Sequence, residues 1–147
     1  PLCRIDSCHQ AMKAAQAAYG QGDFLIRNLL GSDPGSGALR IGALLREAQV
    51  VQFHLRDART SAEDLERRLK LYGDQLAGGT ARGALLFSCL GRGGDLYGGP
   101  NHARATLRPH PGDIALGGFF CNGEIGPVQG QTFLHGYTSA FGIFREL

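Results

Sequence analysis

No stretch of the sequence approaches the roughly 18 consecutive apolar residues that a membrane-spanning helix requires. No charged-then-apolar signal peptide opens it. It also lacks a basic block. The ten basic and nine acidic residues of 1–79 nearly cancel, as do the five and four of 80–147. A phosphate backbone would find no electrostatic footprint, so nucleic acid is not an expected partner. Cysteine is sparse. Cys3, Cys8, Cys89 and Cys121 are too few and too scattered for a disulfide framework. Only Cys3, Cys8 and His9 cluster, without the second pair that a zinc site uses. Reduced thiols in a cytoplasmic protein are therefore expected. Internal repeats and low-complexity tails are absent too. The first residue is Pro1 rather than Met, so the chain reads as a piece of a longer protein.

What is present suits one folded domain over residues 1–147. Hydrophobic residues make up 43% and charged residues 19%, enough apolar surface to build a core. Glycine is the outlier at 23 residues, about twice ordinary usage. Five glycines fall within 91–99 and five more within 117–130. Such density points to unusual backbone angles, or to a backbone that approaches something closely.

Periodicity predicts a helix over 7–19, capped by Asp6 or Ser7, with Cys8, Met12, Ala15 and Tyr19 on one face. A strand follows over 24–30, then a turn over 31–37. Alternation predicts strands from Leu39 to Leu45 and from Val51 to Leu55, joined as an antiparallel hairpin. Next comes a helix with a Thr60/Glu63 capping box and a stripe of Leu65, Leu69, Tyr72 and Leu76. Further strands are expected over 84–89 and 114–120, with a short helix over 102–108 capped by Asn101. A last strand over 133–144 is expected to bend at Gly136. Hairpins dominate this order. It implies an α+β fold, a largely antiparallel sheet of about six strands with two main helices packed on it.

Two charged residues stand out. Arg92 lies in "CLGRGG", between Gly91 and Gly93; Glu124 lies in "CNGEIG", after Asn122 and Gly123. Arginine matches a carboxylate in bidentate fashion, and glutamate accepts from an ammonium, so the two residues suit an amino acid. The bland alternative is that they pair with each other. Cys89 and Cys121 each end a strand before a glycine-rich segment, and neighbouring strand ends would bring them together. A thiol nucleophile with His135 can be sketched, but no acid/base set accompanies it, so no enzyme is expected. The glycines at 91–99 lack the spacing of a phosphate-binding loop. His54, His102 and His110 read as solvated; His135 reads as bonded to a loop carbonyl.

The segments "GALLFSCLGRGGDLYG" (83–98), "ALGGFFCNGEIGP" (115–127) and "FLHGYTSAFGIFR" (133–145) resemble the FIST C domain. So do "GDFLIRNLLGSDPGSGALRIG" (22–42) and "VVQFHLRDARTSAEDL" (50–65), so the resemblance covers 22–145. The family pattern falls on Arg27, Phe53, Arg56 and Asp57, then on Cys89, Gly91, Arg92 and Gly93. It continues through Gly118, Phe119, Phe120, Gly123, Glu124 and Ile125 to His135, Tyr137 and Thr138. The resemblance implies small-ligand sensing in signal transduction, with amino acids as proposed ligands. It also implies a FIST N domain in the same full-length chain and a signalling output partner. The expected ligand-binding set is Cys89, Gly91, Arg92, Gly93, Asn122, Gly123, Glu124, His135 and Tyr137, with no cofactor. F-box members of the family suggest an interaction module as the alternative. Haem-binding members that sense nitric oxide suggest a haem site on His135 or His54.

Overall fold

A computed structural model describes residues 7–11, 18–20, 23–47, 49–75, 79–128 and 130–146. Among them it shows nine strands, two short helices and one long one, an α+β architecture. The chain divides into two compact units, residues 1–56 and 57–147.

The first unit is a four-stranded antiparallel sheet in the order β3-β2-β1-β4. Its strands are β1 (Ser7–Ala11), β2 (Phe24–Ser32), β3 (Leu39–Ile41) and β4 (Val51–His54). The helix expected over 7–19 is corrected here: residues 7–11 form β1, while Asp6, Met12 and Ala15 lie outside the described residues. β1 lies between β2 and β4, with Cys8 opposite both Arg27 and Phe53. Pairing on both edges satisfies its backbone, and that outweighs a weak local helical preference.

The expected hairpin between the strands at 39–45 and 51–55 is also overturned. β3 pairs with β2 and β4 with β1. The turn between β2 and β3 explains the choice. Asp33 N–H donates to Ala38 O (2.8 Å), Gly37 N–H donates to Asp33 O (2.8 Å), and the Asp33 carboxylate accepts from Gly35 N–H and the Ser36 hydroxyl. Those bonds close a tight β2–β3 hairpin. β3 stops at Ile41, and Leu45, expected on its apolar face, is 48% exposed.

The second unit opens with α1 (Ala58–Gln75). Its cap is Asp57, whose Oδ1 accepts from Thr60 N–H at 2.8 Å, in place of the expected Thr60/Glu63 box. That hydrogen bond holds the Asp57 carboxyl below its ordinary range. Leu65 and Leu69 of the expected stripe are buried; Leu76 lies outside the described residues. Then come β5 (Ala81–Cys89), a single 3₁₀ turn (Leu90–Arg92), α2 (Gly94–Tyr97), α3 (His102–Leu107) and β6 (Ala115–Cys121). Asn101 precedes α3 in the left-handed region (φ 64°) and makes no side-chain cap, contrary to expectation.

β5 is central in a sheet of order β6-β5-β9, parallel to β6 and antiparallel to β9 (Ser139–Arg145). Leu65, Leu69, Ala84 and Leu107 form the core, with Leu116, Phe141 and Ile143 packed against it. Gly118 sits tight against β5: a Cβ there would lie 1.9 Å from Leu86 O, and its φ of +151° suits glycine alone. β7 (Glu124–Val128) and β8 (Gln131–His135) form a separate antiparallel hairpin. The expected long strand over 133–144 is thus two strands in two sheets. The break is at residues 136–138, where Tyr137 has a φ of 60°. The expected loop around Glu124 is likewise the start of β7, with Glu124 opposite His135.

Candidate functional site

Side chains on one face of a strand recur every second residue. The face of β5 that sends Ala84 into the core therefore also carries Leu86 and Ser88, and these two line a cavity of about 720 Å³. β6 contributes residues 116–120, and the glycine-rich stretch with α2 and the start of α3 supplies the rest. The cavity thus lies toward the carboxyl ends of two parallel strands, a place where α/β sheets commonly take ligands. Its volume is in the range of about 300–1,000 Å³ usual for small-molecule sites.

Arg92 lines this cavity, and its position is built from three sides. Its Nη1 donates to Tyr137 O at 3.2 Å and its Nη2 to Ser61 O at 3.5 Å. Its guanidinium carbon lies 5.9 Å from the centre of the Tyr97 ring. Tyr97 is in turn tied to α1 by a 2.9 Å hydrogen bond between its hydroxyl and that of Ser61. The first turn of α1 therefore holds both residues. A guanidinium has five N–H donors, and these contacts use two. Among the described residues no carboxylate is within ion-pair distance of Arg92.

Glu124 meets quite different surroundings. It is only 2% exposed. Its Oε2 accepts from Thr138 N–H (3.3 Å) and from the Thr138 hydroxyl (2.8 Å), and its Oε1 accepts from the Cys121 thiol (3.4 Å). It is not part of the cavity wall. Arg92 and Glu124 therefore do not pair with each other. They grip one peptide group, the one joining Tyr137 to Thr138. Arg92 takes its carbonyl and Glu124 its N–H, so each charge meets the complementary end of the peptide dipole. Cys89 N–H donates to Thr138 O at 2.9 Å, which ties the same residue to the end of β5.

The other residues singled out from the sequence scatter around this arrangement. Gly93 lines the cavity. Cys89 is buried, and Gly91 lies beside it in the 3₁₀ turn. Cys89 and Cys121 are direct partners in the β5–β6 register, as their strand-end positions suggest. Both are free thiols. Burial, reinforced by the hydrogen bond to Glu124, pushes the Cys121 thiol up from its ordinary range. That opposes the thiolate a nucleophile needs. Asn122 is exposed; Gly123, with φ +141°, turns β6 into β7 beneath Leu134. His135 Nε2 is 3.0 Å from Gly126 O, a carbonyl of strand β7 rather than of the loop expected there.

Three residues of the site were missed. Ser61 lies within the expected Thr60/Glu63 capping box and carries no motif of its own. Tyr97 lies among glycines and carries no motif. His102, read as solvated, stacks on Tyr97 with ring centres 3.7 Å apart and lines the cavity. Its Nε2 is buried without a hydrogen-bond partner. Burial, then the nearby Arg92 charge, pushes its imidazole below the usual 6.5. The available signal was its place at the start of a short helix just after the glycine-rich stretch.

Among the described residues no group of His, Cys, Asp and Glu is arranged to hold a metal ion, and no helix is long and apolar enough to cross a membrane.

Residues 5–127 match the family model for the FIST C domain. The uncharacterized protein Rv0628c of Mycobacterium tuberculosis (strain ATCC 25618 / H37Rv) is 44% identical over 130 residues, covering 88% of this chain and 34% of that protein. The uncharacterized protein Mb0898c of Mycobacterium bovis (strain ATCC BAA-935 / AF2122/97) is 43% identical over the same length, covering 88% and 33%. The chain thus spans about a third of the length of the curated relatives it matches. No solved structure matches it significantly. With the family match covering most of its length, the chain belongs to the FIST C domain family, a family of signal-transduction sensor domains.

Proposed function

We propose that this chain is a small-ligand sensing domain, and that its ligand carries a carboxylate received by Arg92. The observation that carries the reading is an arginine held in a cavity wall by two backbone carbonyls, with no carboxylate of the described residues neutralising it. A charged group placed like this is a recognition element in waiting, since a carboxylate completes its bidentate geometry. In this reading the domain is not an enzyme and needs no cofactor. It works in the cytoplasm, alongside a FIST N domain and an output partner in the full-length protein. Amino acids are the first class to test. The ammonium half of that expectation rested on Glu124, whose oxygens already accept from Thr138 and Cys121.

The test is titration of the full-length chain with a panel of amino and carboxylic acids by calorimetry and thermal shift. The reading expects binding of at least one carboxylate, and loss of at least about tenfold in affinity for Arg92→Ala. A flat response across the panel sinks it.

A further inference from the structure

The charge of the cavity wall is one-sided. Arg92 and Arg104 line it, and so does His102, but among the described residues of the wall there is no Asp or Glu. Leu86, Leu116 and Phe120 supply an apolar surface. A zwitterion entering such a site would have its carboxylate met and its ammonium left without a counter-charge. Burying a charge in that state is costly. His102 adds a second, independent observation. Its Nε2 is a buried polar atom without a partner, which native proteins rarely tolerate unless something else completes it. Imidazole in its neutral form donates or accepts at that nitrogen according to tautomer. Arg92 lies close enough to His102 to disfavour the imidazolium, so the two act on the same small region of the wall. A carboxylate there would take N–H bonds from Arg92 and from His102 Nε2 together.

We propose that the cavity is built for a monoanionic carboxylic acid with an apolar body and no ammonium group, its carboxylate held between Arg92 and His102. The proposal rests on the sensing reading above and narrows its ligand class. Arg92 and His102 give orientation, and the leucine and phenylalanine side chains give the apolar contact. Arg104, an exposed residue of the wall, adds positive potential that draws an anion in.

Three probes that share a phenyl ring and a two-carbon spacer separate the possibilities: 3-phenylpropionate, L-phenylalanine and 2-phenylethylamine. Each is titrated by calorimetry into the full-length chain. The expected order is 3-phenylpropionate at least about tenfold tighter than L-phenylalanine, and no measurable binding of 2-phenylethylamine. Equal or tighter binding of L-phenylalanine overturns the narrowing but leaves the sensing reading standing. So does binding of an aliphatic amino acid in the absence of any binding by 3-phenylpropionate. Absence of binding by every carboxylate and amino acid overturns both. His102→Phe preserves the ring stack on Tyr97 while removing Nε2. It is expected to weaken 3-phenylpropionate by about fivefold or more. An unchanged affinity removes His102 from the site. The probe comparison uses the unaltered protein, so it decides the ligand class even where a variant fails to fold.

Discussion

Arg92 and Glu124 each follow a strand by three residues, and each strand ends in a cysteine. Those two cysteines, Cys89 and Cys121, are register partners, so the two charges start from neighbouring positions. What they meet then differs. Arg92 continues into a 3₁₀ turn and faces a cavity, with donors left over. Glu124 opens a strand that folds back onto β8, and every donor it needs is within the protein. The difference teaches that a lone charge among glycines carries no fixed meaning. The backbone path after it decides whether it is spent on the fold or left facing a cavity.

That contrast can be broken by mutation, most severely at Glu124. Glu124→Leu leaves the half-buried Thr138 N–H and hydroxyl without their acceptor and should cost about 2 kcal/mol of stability. Chemical unfolding followed by circular dichroism measures it; a loss below that of Arg92→Ala would reverse the assignment. Thr138→Val removes the hydroxyl and keeps the shape, and about 1 kcal/mol is expected in the same assay. Arg92→Ala should also cost about 1 kcal/mol, from the bond to Tyr137 O, while its main effect falls on ligand affinity. Stability loss without affinity loss would place Arg92 beside Glu124 as a purely structural residue.

A smaller effect concerns pH. Burial depresses the pKa of both His54 and His102 below the usual 6.5. The unfolded chain then takes up these protons before the folded one does. Their contribution to stability is present in full above about pH 6.5 and is lost as pH falls through the lower folded values. Thermal midpoints measured between about pH 7.5 and 5 should fall on acidification, and His102→Phe should flatten that slope. An unaltered slope would mean that His102 titrates alike in both states. The smallest effect is chemical. Iodoacetamide should label Cys121 more slowly than a cysteine in an unstructured peptide, because its thiol resists ionisation. Mass spectrometry of the labelled peptide follows it, and fast labelling would reopen the thiol chemistry.

Much of the second unit was legible because local pattern and tertiary packing agree there. Leu65 and Leu69 recur at helical spacing and are buried; the apolar run over 84–89 is a central strand. Cys89 and Cys121 could be placed side by side because both end strands. In the first unit the local pattern misled. Residues 7–11 can satisfy a helical period as well as a strand, and pairing with β2 and β4 decides between them. At the site, Arg92 stood out by its glycine context, and it lines the cavity. The true partner of Glu124 was hidden, because a 14-residue separation and a hairpin lie between it and Thr138. Ser61 and His102 were hidden for the same reason: each gains its role from a neighbour more than a few residues away along the chain or from burial, and neither leaves a spacing to read.

A peptide group is planar and stiff, so its carbonyl and its N–H turn as one body. The peptide between Tyr137 and Thr138 has Arg92 on one end and Glu124 on the other. It cannot rotate away from the arginine without also leaving the glutamate. The two hydrogen bonds therefore form a single latch with one degree of freedom, set at the junction of β8 and β9 and gripped at one end by a residue of the cavity wall.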